Sequence, residues 1–246
     1  MFPIRDHNPS GRLPFVTIAL IVANVLVFLA YFPGASELWL MRFYYNWGLV
    51  PDSALSLHRA ETLLTHMFLH GGWMHLIGNM LFLWIFGDNL EEEMGHFRFL
   101  LFYLATGLAA AALQILPDPG SKVPMVGASG AIAGVMGAYL LLYPRAKVDV
   151  LLIFVIFFRI FTLPAWIVLG VWFGIQLFSG LTTPTAEGGV AWFAHIGGFL
   201  AGVGLALPLW LRRGGSGYWR RTEGHPPCPD AAWPLAKSNI PKVGRR

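Results

Sequence analysis

Between Phe15 and Leu211 the chain is dominated by apolar runs, and six of them could cross a bilayer, which takes about 20 apolar residues each. They lie near 14–33, 66–88, 97–116, 129–143, 163–181 and 190–211. The fourth and sixth are rich in Gly and Ala. Only 12% of residues are charged and 56% are hydrophobic, whereas soluble domains carry about a quarter charged residues. The fold class that follows is all-α, a polytopic membrane helix bundle of six transmembrane helices. A further apolar stretch, 148–162, is interrupted by Arg159 and followed by Pro164. It reads as an interfacial or re-entrant lead-in to the fifth helix, and counting it as a span would give seven.

Loop charge sets the orientation. With six spans, one side of the membrane collects Arg5, Arg12, Arg98, Arg145, Lys147, Arg159 and the basic segment from Arg212 onward. The other side holds Arg42, Arg59 and Lys122. The positive-inside rule then puts both termini in the cytoplasm and the 34–65, 117–128 and 182–189 loops outside. The chain divides into a cytoplasmic N-terminal segment (1–13), a membrane domain (14–211) and a basic cytoplasmic tail (212–246), rich in Pro and Gly and expected to be disordered. The apolar run from Phe15 has no small-residue cleavage signature after it and reads as a retained helix. The single cysteine, Cys228, excludes an intrachain disulfide. The net charge of +4 marks cytoplasmic loops, and no basic run is interleaved with aromatics, so no nucleic-acid partner is expected. "EEEMG", from Glu91, reads as a solvated cytoplasmic turn.

Ionisable groups within lipid are costly and therefore informative. No Asp or Glu falls inside a span; Asp88 and Asp149 are placed at helix edges. The intramembrane ionisable groups are nearly all histidines. "THMFLHGGWMHLIGNM" carries His66, His70, His75 and Asn79, and "AWFAHIGGFLAG" carries His195. "VPMVGASGAIAG" places Ser129 between Gly127 and Gly130 at the start of the fourth span. Spans two, four and six all begin outside, so Ser129, His195, His75 and Asn79 can share one level in the outer leaflet. His75 and Asn79, four apart, share a helix face.

The glycines indicate how these groups meet. Gly130 and Gly134 form a small-xxx-small pair on span four, and Gly198 and Gly202 form another on span six. His195, Gly198 and Gly202 follow i, i+3, i+7, so close packing of the two spans brings His195 toward Ser129. A serine hydroxyl is a weak nucleophile until a base takes its proton. His195 is the candidate base, and with no carboxylate at that depth the arrangement is a Ser–His dyad. The Ser129 backbone N–H at a helix start, with the side chains of His75 and Asn79, can stabilise an oxyanion. The reaction class is acyl transfer to water, peptide-bond hydrolysis, with neither cofactor nor metal expected.

These residues resemble the rhomboid family of intramembrane serine proteases over roughly residues 14–211. Three elements match in order: "HGGWMHLIGN", "GASGAIAG" and "AHIGGFLAG". The resemblance implies Ser129 as nucleophile, His195 as general base, and an oxyanion site from the Ser129 amide, His75 and Asn79. It implies supporting roles for His70, near the first loop, and for Gly127, two before the serine. It also implies a membrane-dipping 34–65 loop and, as substrates, single-pass transmembrane proteins cut near their outer boundary. Ala133 stands where many members carry a Tyr four residues after the serine. The arginine nearest span two, Arg59, is out of register with the family's Trp-Arg pair.

Taken alone, a Ser at a helix start is usually an N-cap. His66 and His70 read as structural hydrogen-bonders. Three other classes stay open: a non-catalytic binder of transmembrane helices, a metal or haem site through His66, His70, His75 and His195, and a transporter.

Overall fold

A computed structural model describes residues 2–8, 10–54, 57–154, 157–183 and 190–226. Cys228, most of the 182–189 loop and the end of the expected tail lie outside these. A helix overlaps each of the six apolar runs: α1 (Phe15–Tyr31), α5 (Trp73–Met94), α6 (His96–Ile115), α7 (Ser129–Leu142), α8 (Ala165–Thr182) and α9 (Trp192–Arg212). Between α1 and α5 lie α2 (Glu37–Trp47), α3 (Pro51–Ala54) and α4 (Thr62–Thr65), and α10 (Ser216–Thr222) follows α9. Among the described residues, α6, α8 and α9 are long and apolar enough to cross a membrane. The helices α1 and α7 are shorter and apolar, and α5 ends in the acidic run Glu91, Glu92 and Glu93.

The second helix differs in extent from the 66–88 reading. His66–Phe68 forms a single 3₁₀ turn, the chain extends through Leu69, and α5 begins only after Gly71 and Gly72. It then continues to Met94. Gly95, at φ +79°, takes a left-handed conformation, so α6 starts at the next residue and folds back without a linker. Because α5 runs on, "EEEMG" is not a solvated turn. Glu91 is 1% exposed and sits at the N-terminus of α1. Its carboxylate accepts from the Val16 N–H (2.8 Å), the Thr17 N–H (2.7 Å) and the Thr17 hydroxyl (2.7 Å). These are N–H groups that a helix cannot satisfy internally, and a negative charge is favoured there.

The all-α expectation needs a second correction. Where it is described, the 148–162 stretch is strand and not helix. It forms a hairpin of β2 (Lys147–Phe154) and β3 (Phe157–Pro164), paired antiparallel from Lys147↔Pro164 to Phe154↔Phe157. The N-terminal segment adds β1 (Phe2–Asp6) on the other side of β2, giving a sheet of order β1-β2-β3. A continuous run of β-branched and aromatic residues suits a strand as well as a helix. What fixes the outcome is Asp149, which lies on β2 and not at a helix edge. Its carboxylate accepts from Arg5 (2.7 Å) and Thr162 (2.6 Å) and pairs with His7 (2.8 Å), so one side chain staples all three strands.

The segment read as a tail is folded in its first part. The Trp219 indole N–H donates to the Leu141 carbonyl (2.9 Å), the Arg145 N–H donates to the Gly224 carbonyl (2.9 Å), and Tyr218 is buried. The sheet and α10 thus cover the end of the bundle where α7 finishes. Tyr139, near that end of α7, donates to Asp6 (2.9 Å) and accepts from Asn8 (2.6 Å).

At the centre, α7 is buried on almost every side, against α5, α6, α8 and α9. A Cβ on Gly198 would overlap the carbonyl of Gly130, and one on Gly202 would overlap that of Gly134. The backbone of α9 therefore rests directly on that of α7. The glycines of α7 make room on a different side: Gly130 faces Ala110 and Gly134 faces Thr106, both on α6.

Two predictions follow from this packing. Gly198→Val or Gly202→Val will lower the melting temperature in detergent by several degrees, because backbone carbonyls cannot yield to a branched side chain. Gly204→Val will not, since nothing lies within 4 Å of that position; equal losses at all three would mean a different packing face. At the sheet, the Thr162 hydroxyl, with His7 and Arg5, holds the Asp149 carboxyl below the usual carboxylate range. Such a group stabilises the fold above its unfolded pKa, about 3.9, and loses that contribution as the pH falls toward the folded value. Amide protection at residues 4–6, measured against an unfolded chain at the same pH, will therefore be full at pH 5, fall below about pH 4, and be reduced at pH 7 in Asp149→Asn. Unchanged exchange in that variant would mean that the backbone ladder alone holds β1.

Candidate active site

Ser129 opens α7, and His195 lies in the first turn of α9, three residues before Gly198. The close approach of the two backbones brings the imidazole Nε2 to 2.8 Å from the Ser129 Oγ. The other ring nitrogen, Nδ1, lies 2.7 Å from the Gln176 Oε1 on α8. The Gln176 amide is oriented in turn, because its Nε2 donates to the Trp172 carbonyl at 3.2 Å. An amide oxygen only accepts, so His195 carries its proton on Nδ1 and leaves Nε2 free to accept from the serine hydroxyl. Gln176 is 5% exposed. The Trp172 ring lies 5.7 Å from the imidazole and the Trp192 ring 6.4 Å, the latter edge-on. The aromatic packing at His195 therefore comes from α8 and α9, while Ala133 on α7 is fully buried.

Across the serine stands His75, in the first turn of α5. Its Nδ1 accepts from the Gly71 N–H at 3.3 Å, so its proton sits on Nε2. A Cβ on Gly127 would stand 2.8 Å from that Nε2 and 3.5 Å from the Ser129 Oγ. Gly127, at φ +134°, thus leaves open the space between the two. Its own N–H donates to the His66 carbonyl (2.9 Å), which pins the loop. Asn79 follows His75 by one turn and is 8% exposed. Its Nδ2 is buried without an acceptor, an arrangement that costs free energy unless a partner arrives. The Ser129 N–H, as the first of α7, has no carbonyl one turn behind it. A cavity of about 10 Å³ beside Ser129, bordered by His66, Met67, Val126 and Ala194, has room for about one water.

The remaining expected residues sit around this centre. His70 is fully buried, with its ring 5.1 Å from that of His75. Its carbonyl accepts from the hydroxyls of Tyr31 (2.7 Å) and Tyr44 (2.9 Å), tying the start of α5 to α1 and α2. His66 donates from Nδ1 to the Thr62 carbonyl (2.8 Å). Among the described residues no three His, Cys, Asp or Glu side chains gather as a metal ion would require. Arg59, out of register in the sequence, donates to the carbonyls of Tyr45 and Asn46 (2.7 Å each) and so caps the end of α2. Sequence reasoning missed Gln176 and also Gln114, whose Oε1 accepts from the Ala194 N–H (3.0 Å) beside the histidine. The signal was there: each is an amide in an apolar run, "VWFGIQLFSG" and "AAALQILP". A search confined to ionisable groups passes over both.

Residues 57–212 match a family model described as the Rhomboid domain. Among curated relatives, RHOMBOID-like protein 5 of Arabidopsis thaliana is 33% identical over 160 residues, 61% of this chain and 44% of that protein. Rhomboid protease GluP of Bacillus subtilis is 36% identical over 146 residues, 59% of this chain and 26% of that protein. RHOMBOID-like protein 2 of Arabidopsis thaliana is 32% identical over 197 residues, 77% of this chain and 50% of that protein. The chain thus spans half or less of the length of these relatives.

The geometry predicts a reactive serine. A small fluorophosphonate will label the purified chain, and Ser129→Ala and His195→Ala will each abolish labelling. Gln176→Leu, which deprives Nδ1 of its acceptor, will slow labelling about tenfold, the worth of one hydrogen bond of ~1.4 kcal/mol. Labelling at an unchanged rate in Gln176→Leu would mean that the imidazole is oriented by other contacts.

Proposed function

The chain belongs to the rhomboid family, and from that premise we propose that it is an intramembrane serine endopeptidase working through a Ser129–His195 dyad. It is an integral membrane protein, and its substrates on this reading are transmembrane segments of other membrane proteins, cut near the outer membrane face. The observation that carries the reading is the 2.8 Å contact between the His195 Nε2 and the Ser129 Oγ. Hydrolysis proceeds in two halves. The Ser129 Oγ attacks the scissile carbonyl carbon while the His195 Nε2 takes the hydroxyl proton. The carbonyl oxygen becomes an oxyanion, for which the Ser129 N–H, the His75 Nε2–H and the unpartnered Asn79 amide are the donors. The tetrahedral adduct collapses, the imidazolium passes its proton to the leaving amine nitrogen, and the acyl group stays on Ser129. A water, deprotonated by the same imidazole, then releases the acid.

Gln176 supports the imidazolium as a neutral acceptor, in the place where a triad would put a carboxylate. The length of α7 supports a site within the membrane. Its 14 residues make about 21 Å of helix, short of the ~30 Å hydrocarbon layer, so a helix anchored at its far end begins below the surface. The arginines and Lys147 on the side of the sheet and α10 favour that side as cytoplasmic, with both termini there. A substrate helix has to unwind locally before attack, because its own hydrogen bonds and side chains shield the peptide bond.

The test is cleavage of a panel of transmembrane substrates in proteoliposomes. Wild type will cleave at least one, and Ser129→Ala none, while keeping its melting temperature. Asn79→Ala will lower turnover by about 10²–10³ yet keep its fluorophosphonate labelling, since it acts on the oxyanion and not on the nucleophile. Cleavage persisting in Ser129→Ala would overturn the mechanism. Loss of labelling in folded Asn79→Ala would move Asn79 from the oxyanion to nucleophile activation.

A further inference from the structure

Toward the end of the bundle where the sheet lies, α6 and α9 leave between them a groove of about 410 Å³. Its floor is Phe102 and Ala105, and its walls are Leu101 and Leu205, each half exposed, with Leu209 beside them. Pro208, within α9, borders the groove and cannot donate a backbone hydrogen bond to the preceding turn. At the mouth stand two guanidinium groups, Arg98 in the first turn of α6 and Arg212 at the last residue of α9. Among the described residues neither has a carboxylate within ion-pair distance. The one acid on the groove, Glu93, is already engaged by Arg213. The result is an apolar slot beneath two unopposed positive charges, at the end of membrane-crossing helices.

We propose that this groove is a binding site for an anionic phospholipid, with an acyl chain along Leu101, Ala105 and Leu205 and the phosphate between Arg98 and Arg212. The chemistry asks for both halves of such a molecule. A hydrocarbon chain alone leaves two charges unmatched, and a free anion leaves the slot unfilled. Basic residues flanking apolar inter-helix pockets attract anionic headgroups in this way.

The experiment is a lipid titration of the purified full chain in neutral detergent, read by native mass spectrometry. Three ligands are compared: dioleoyl phosphatidylglycerol, dioleoyl phosphatidylcholine and glycerol 3-phosphate. Phosphatidylglycerol will bind about tenfold tighter than phosphatidylcholine, and glycerol 3-phosphate will not displace it. The double variant Arg98→Gln/Arg212→Gln will lose that preference, whereas Arg12→Gln/Arg220→Gln, which removes two charges outside the groove, will keep it. Ala105→Phe, which fills the slot and leaves the charges, will weaken both phospholipids. Unchanged thermal unfolding will establish that the variants are folded. Equal binding of the two lipids by wild type, a preference surviving in Arg98→Gln/Arg212→Gln, or ready displacement by glycerol 3-phosphate would each overturn the proposal.

Discussion

Everything at the centre of this molecule depends on two helices touching through their backbones. No side chain separates α9 from α7 where Gly198 meets the Gly130 carbonyl and Gly202 meets that of Gly134. Gly137 extends the contact to the Phe199 carbonyl. His195 stands three residues before Gly198, and Ser129 one before Gly130, so the hydrogen bond between them is a direct result of that approach. In lipid there is no hydrophobic drive to bring helices together, and close van der Waals packing takes its place. The glycines of α7 serve a second neighbour at the same time, giving Ala110 and Thr106 of α6 a place to rest.

The polar groups are arranged differently at the two ends of the bundle. Around Ser129 the partners are neutral: the Gln176 and Gln114 amides, the Tyr31 and Tyr44 hydroxyls, and backbone groups at Gly71 and His66. At the other end the partners are charged: Glu91 on α1, Asp149 across three strands, and Glu93 with Arg213. A carboxylate is tolerable where water or several donors surround it, and costly where neither is at hand. This division accounts for a histidine held by an amide at one end and ion pairs gathered at the other.

Much of the centre was legible in the sequence, because small residues at helical spacing and lone polar groups in apolar runs leave few arrangements open. Ser129, His195 and His75 come together at one end of α7, and Gly198 and Gly202 face α7 as their spacing indicates, whereas Gly130 and Gly134 turn their open side to α6. The elements that escaped were those decided by distant partners. The run "VDVLLIFVIFFRIF" suits a strand or a helix equally, and Arg5, His7 and Thr162 meeting on Asp149 settle it, one of them 144 residues away. The acidic run at Glu91 looks like a turn until the N-terminus of α1 is set against it. Gln176 carries no charge, and its local mark, an amide in an apolar run, does not say that its partner is a histidine 19 residues later. The start of α10 was hidden by a composition that suggests disorder, although Tyr218 and Trp219 find cover against α7 and its neighbours.

The carboxylate of Glu91 also has a bearing on biogenesis. It accepts from the first turn of α1, yet it lies 74 residues later in the chain than Thr17. A ribosome delivers α1 to the membrane well before it delivers the acid that completes its N-terminus. Before residue 91 is made, the amides of Val16 and Thr17 have only water or other polar groups as acceptors. In the folded protein the N-terminus of the first helix is therefore completed by the end of the second.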